Sequence, residues 1–174
     1  MPWEYLATKE FEDARYLPIV SYIEESDTIL DLNCGQAGFH KYVKCKNYTA
    51  NDIFVPENTE GIDFKQLDDT KVDWPHNVLC CFGYGGGEFT GEPLESKTTS
   101  QSIFRLVDSY HPRLVVIEMA EKWETSFEIM SSISNYLLGN GYDIIKEENI
   151  KIEPVDHYHN VRVLRIFKRK AYEI

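Results

Sequence analysis

Apolar positions recur along the chain at helical and at alternating or continuous spacing, and the switch between these patterns predicts the elements. Between Lys9 and Glu25, Phe11, Leu17, Val20 and Ile23 read as a helix, with Pro18 opening or kinking a second helical piece. Thr28 to Leu32 (TILDL) is a short β-branched and apolar run that predicts a strand, closed by a glycine-containing turn over 33–38. Phe39, Tyr42 and Val43 then fit one face of a helix. Two further strands are expected, Tyr48 to Ile53, closing on Asn51 and Asp52, and Ile62 to Leu67, closing on Asp68 and Asp69; Pro56 and Gly61 leave room for only a vestigial helix between them. Asn77 to Phe82 (NVLCCF) is continuously apolar, as suits a strand covered on both faces. A helix resumes near Thr99 or Ser100, either of which would cap it, and carries Ile103, Phe104 and Val107. Leu114 to Met119 is the next buried strand. A helix from Thr125 carries Phe127, Met130, Ile133 and Leu137 until Gly139 and Gly141 stop it. Strands over 142–152 and 161–167 complete the pattern.

Strands separated by helices imply a mostly parallel sheet with helices on both faces, an α/β three-layer sandwich. The last two strands lack a helix between them and should pair as an antiparallel hairpin. No repeat or long linker interrupts the pattern, so residues 1–174 read as one domain, a helical segment over 1–27 leading into a core over 28–174. An apolar content of 43% over 174 residues supports a core without covalent staples. The cysteines, at 34, 45, 80 and 81, have no metal or redox spacing and read as reduced thiols, which points to the cytoplasm. No apolar run approaches the roughly 20 residues of a membrane span, and the acidic start of the chain is unlike a secretory signal. The net charge of −11 disfavours a protein that lives by contacts to nucleic-acid backbone. Charge is nonetheless uneven: residues 1–31 hold eight acids and two bases, whereas residues 160–174 hold five bases and one acid. The basic end keeps a local anionic partner open.

The strongest chemical signal is ILDLNCGQAG at 29–38, where a strand ends in an acid, Asp31, and a glycine turn lets a ligand approach the backbone. Asp52 stands at the end of the second strand, where a carboxylate can accept from two ribose hydroxyls, and Asp68 at the end of the third. This segment resembles motif I of the class I S-adenosylmethionine-dependent methyltransferases, with Asn33 and Ala37 where that family has its first and third glycines. The ending of the chain resembles the same family, whose seven-stranded sheet has an antiparallel last strand. The resemblance implies S-adenosylmethionine as cofactor, held by Asp31, Asn33, Cys34, Gly35, Gly38 and Gly83, with Asp52 on the ribose and Asp68 at the adenine amino group. Asp63 is a weaker substitute for Asp68. It further implies that Tyr84, Glu88 and Phe89, in the glycine-dense stretch FGYGGGEFTG after the fourth strand, line the acceptor pocket. The acceptor itself is not named by any motif. No inserted subdomain is visible, so part of its pocket is expected from a second subunit or from a large acceptor.

Other readings of the same residues stay open. NCGQAG also resembles a GxGxxG dinucleotide fingerprint lacking its first glycine, which would make the chain a nicotinamide-dependent oxidoreductase. DLNCGQAGF together with PRLVVIEMAEKW resembles the cytosine-C5 methyltransferases, which would make Glu118 the catalytic glutamate, acting as a base, but the thiolate nucleophile that chemistry requires is missing after the fourth strand. A third reading keeps the sheet but not the site, as a non-catalytic binding domain. His157 and His159 lack the further ligand a metal needs, and neither a GxSxG elbow nor a Walker lysine is present.

Overall fold

The computed structural model describes residues 8–82, 94–120, 124–151 and 161–171. Helix α1 (Lys9–Val20) begins at Thr8, whose side chain accepts from the Phe11 backbone N–H. Pro18 falls in its last turn, so α1 is a single helix that ends soon after the proline rather than two pieces. The strands β1 (Thr28–Asp31), β2 (Asn47–Asp52), β3 (Asp63–Gln66), β4 (Val78–Phe82), β5 (Leu114–Ala120), β6 (Tyr142–Lys151) and β7 (Val161–Arg169) form one sheet in the order β3-β2-β1-β4-β5-β7-β6. Neighbours from β3 to β5 pair in parallel, and β7 runs antiparallel between β5 and β6.

Helices α2 (Leu94–Tyr110) and α3 (Glu124–Gly139) cover one face of the sheet. The first starts before the expected caps, and Ser100 is a buried residue inside it rather than its start. The helix expected after β1 is instead a 3₁₀ turn over Gly38–Tyr42. Geometry gives the reason. Few residues are available to return from the end of β1 to the start of β2, and a 3₁₀ turn rises about 2.0 Å per residue where an α-helix rises about 1.5 Å.

Alternation along β4 divides the core in two. Val78, Cys80 and Phe82 face α1 and the 3₁₀ turn, where Tyr16, Phe39 and Phe82 pack with ring centroids 5.1 to 5.3 Å apart. Leu79 and Cys81 face the other way, against Ile103, Leu106 and Val107 of α2 and Ile133 and Leu137 of α3. Each such side chain contributes on the order of 1.5–3 kcal/mol when fully buried. At the amino-terminal ends of the strands, buried Asp27 ties the layers together. It accepts from Asn77 Nδ2 at 2.9 Å and Arg113 Nε at 2.8 Å, and its backbone carbonyl accepts from Lys46 at 2.8 Å. Among the described residues no helix is long and apolar enough to cross a membrane.

Candidate functional site

The chain builds β1, β2 and β3 in one direction across the sheet and then resumes on the other side of β1 with β4 and β5. The carboxyl end of β1 is therefore the switch point at which open α/β sheets hold ligands. Asp31 and Asp52 are the last residues of β1 and β2, and Asp68 lies two residues past β3.

The loop leaving β1 is laced to its neighbours through the backbone. Leu32 N–H donates to the Cys80 carbonyl at 2.8 Å, Asn33 N–H to Asn51 Oδ1 at 3.0 Å, and Cys34 N–H to the Asn51 carbonyl at 2.9 Å. Gly35 N–H donates to Asp52 Oδ2 at 2.9 Å. Asn51 spends its amide N–H on the Leu67 carbonyl at 3.1 Å, so one side chain joins the loops after β1 and β3. Asn33, Gly35 and Ala37 take φ of 55°, 56° and 53°. Left-handed backbone at every second residue is what glycine adopts freely. Asn tolerates it, and Ala37 bears a cost of about 1–2 kcal/mol. Gly38 lies so close to α1 that a Cβ there would stand 2.6 Å from Glu12 Oε1.

Asp31 is buried, with Oδ2 accepting from Tyr48 Oη at 2.6 Å and Oδ1 buried without a partner. Burial pushes its carboxyl up to about 7, while the Tyr48 hydrogen bond and the charge of Arg15 pull the other way. The Asn33 amide nitrogen is a second buried atom without a partner. Burial, with Asp31 and Asp52 nearby, raises the Cys34 thiol, which keeps it protonated. Asp52 uses each carboxylate oxygen once, Oδ2 for Gly35 and Oδ1 for the Phe54 N–H at 3.0 Å, and each retains an accepting lone pair. Asp68 caps the 3₁₀ turn over Asp69–Lys71 and accepts from Thr70 N–H at 2.9 Å; the Thr70 hydrogen bonds hold it below the usual carboxylate range. Asp63 sits at the start of β3, bonded to Lys65 at 2.9 Å, away from this cluster.

Glu118 corrects an expectation. It is fully buried on β5, opposite Phe82 and Leu164, with one oxygen bound by Arg15 Nε and the other by Arg162 Nε. Burial alone would raise its proton affinity, but Arg15 and Arg162 together lower it. A carboxylate held ionised and engaged on both oxygens is a structural counter-ion, not a base. Gly83, Tyr84, Glu88, Phe89, His157 and His159 lie outside the described residues. Among the described residues no three side chains converge as metal ligands.

Several residues of the site carry no motif of their own. Tyr48 and Asn51 act through contacts across strands, which spacing does not reveal. Arg15 and Arg162 meet Glu118 across 103 and 44 residues. Ile53 and Phe54 are 56% and 62% exposed just past Asp52, and the first of them reads in sequence as the end of a strand. Their exposure is a property of the folded chain, and the only signal in the sequence was an apolar pair directly after a strand-end acid.

The fold is that of the class I, Rossmann-like S-adenosylmethionine-dependent methyltransferases. No family model and no curated protein sequence matches the chain. Solved structures do match. N-methyltransferase NodS from Bradyrhizobium japonicum WM9, in complex with S-adenosyl-L-homocysteine, superposes with a TM-score of 0.68 at 10% identity, covering 98% of this chain and 92% of that one. Magnesium protoporphyrin IX methyltransferase from Synechocystis PCC 6803 with bound S-adenosylmethionine gives 0.65 at 14% identity, covering 91% and 78%. An S-adenosylmethionine-dependent methyltransferase from Clostridium acetobutylicum ATCC 824 gives 0.62 at 10% identity, covering 97% and 95%.

Proposed function

We propose that the chain is an S-adenosylmethionine-dependent methyltransferase. The observation that carries the reading is the left-handed backbone at Asn33, Gly35 and Ala37 directly beyond buried Asp31, with Asp52 and Asp68 beyond the adjacent strands. The residues fit the cofactor. The unpartnered Oδ1 of Asp31 suits a cationic amino group, and a Cβ at Gly35 would meet nothing within 4 Å, which leaves its backbone open to a ligand. Asp52 has lone pairs free for ribose hydroxyls, and exposed Ile53 and Phe54 offer an apolar surface for a purine ring. When bound, S-adenosylmethionine supplies an electrophilic methyl group on a sulfonium.

The chain's own residues then act by holding and orienting. Asp52 has two tasks, because the carboxylate that would receive the ribose also fixes Gly35 and Phe54. Orientation of two reactants can supply on the order of 7–11 kcal/mol of a barrier, so transfer needs no acid–base dyad.

Calorimetric titration with S-adenosylhomocysteine tests the reading. Binding is expected in the wild type, weakened about tenfold or more in Asp52→Asn and abolished in Asp52→Ala. Unchanged affinity in both variants rejects the assignment. The absence of heat with either the donor or its demethylated product would instead favour the non-catalytic reading, which Asn33 and Ala37 in place of glycines motivate.

A further inference from the structure

A cavity of about 730 Å³ opens where the amino-terminal ends of β1, β2 and β3 meet, lined in part by Thr28, Lys44, Lys46, Asn47, Asp63 and Trp74. Thr28 pairs with Asn47, and Thr49 with Asp63, at the starts of their strands. The length of β1, about 13 Å at roughly 3.3 Å per residue, separates this end of the sheet from the loop that follows Asp31. The cavity thus opens at the opposite end of the strands from the candidate cofactor site, the two sharing one residue, Tyr48, whose hydroxyl donates to Asp31.

Its charge is opposite to that of the chain. From residue 32 to 51 there is no acid, while Lys41, Lys44 and Lys46 fall within six residues of one another, beside His40, in a protein of net charge −11. Lys41 is drawn to Glu12 at 3.6 Å, but Lys44 and Lys46 are exposed and pair with no acid among the described residues. The single carboxylate in the lining, Asp63, is engaged by Lys65. Two free ammonium groups at the rim suit a phosphate or another compact anion. The aromatic walls are independent of that charge. Trp74 is half-buried, with Lys65 Nζ 5.2 Å from its ring centroid, and His40 packs edge-on to Tyr48 at 5.0 Å while closing against Gly61. A ring system entering here would meet aromatic surface on one side and cations at the rim. The volume lies within the range of small-ligand pockets.

We propose that this cavity is a second binding site, taking a nucleotide unit with its phosphate on Lys44 and Lys46 and its base against Trp74 and His40. Such a unit could arrive as a free nucleotide or within a single strand of nucleic acid. The net charge repels a long polyanion, whereas a local site of this kind needs only one or two phosphates.

Two probes, uridine 5′-monophosphate and hexauridylate, separate the sources when titrated calorimetrically into the full chain. Pyrimidines keep the experiment clear of any adenine preference at the other site. Binding that weakens at least tenfold in Lys44→Glu/Lys46→Glu and at least threefold in Trp74→Leu supports the proposal. Similar affinity for both probes then identifies the free nucleotide, and tenfold tighter hexauridylate identifies the strand. The proposal is overturned if neither probe binds, if the lysine variant binds as well as wild type, or if S-adenosylhomocysteine competes with the probe. Equal binding of hexaglutamate overturns the nucleotide assignment as well. Thermal melting verifies that the variants are folded, and an unchanged S-adenosylhomocysteine titration in the lysine variant keeps this result independent of the methyltransferase reading.

Discussion

Asp31 carries an unusual combination for a carboxyl: it is 1% exposed, holds one hydrogen bond to Oδ2 and leaves Oδ1 bare. Its folded pKa of about 7 stands above an unfolded value of roughly 3.9. Between those values the folded chain binds the proton and the unfolded chain does not. The contribution of Asp31 to stability is therefore fully present below about pH 4 and is lost as pH rises through about 7, with a slope of up to roughly 1.4 kcal/mol per pH unit. Urea unfolding of wild type and Asp31→Asn over pH 4–8 should show the wild-type advantage shrinking with rising pH. A pH-independent difference would contradict the assignment. A cationic ligand supplies the charge that the ionised carboxylate lacks, so wild-type affinity for S-adenosylmethionine should climb over the same interval. The acid at this position was legible in the sequence as a strand-end residue. Its altered acidity was not, because it follows from burial and from Tyr48, 17 residues away.

Elements are joined by ionic contacts at both ends of the sheet. Arg15 brings α1, Glu118 brings β5 and Arg162 brings β7, with the Arg15 guanidinium also 5.2 to 5.6 Å from the Phe11, Tyr16 and Phe82 ring centroids. Two buried cations sharing one carboxylate make its removal costly, because each would be left without its counter-ion. Glu118→Gln should cost on the order of 3–5 kcal/mol, read as a lower urea midpoint. Arg15→Met/Glu118→Leu/Arg162→Met should recover a large part of that loss. A mild effect of Glu118→Gln alone would show that the clamp does not hold α1 to the sheet. Sequence pattern placed β1, β4 and β5 well, since TILD, VLCCF and LVVIEM are runs whose burial needs no partner to be recognised. The 3₁₀ turn over Gly38–Tyr42 was misread as a helix because Phe39 and Tyr42 have helical spacing. The constraint that decided the matter, the distance back to β2, is a property of the assembled sheet.

For the molecule as a whole, the centre of the sheet sets the depth of protection. Cys80 and Cys81 are fully buried on β4 between β1 and β5, and burial raises both thiols well above their ordinary range. Their reaction with a thiol reagent should require global unfolding, whereas half-buried Cys45 should react through local motion. Mass spectrometric mapping in increasing urea would show Cys80 and Cys81 labelled together and only at the main transition; early labelling of either would indicate that β4 opens independently. That the sheet is mostly parallel and ends in an antiparallel hairpin was readable from the order of elements. The partner of β7 was not, since a hairpin pattern says that β6 and β7 pair but not which of them meets β5. That the later strand takes the inner place bears on how the chain is made. Synthesis is vectorial and β6 precedes β7, so a nascent chain that has already released β6 still has an open edge on β5 and two strands with nothing between them. Closure of the sheet, and of the Glu118 clamp that needs Arg162, must wait until β7 has left the ribosome tunnel.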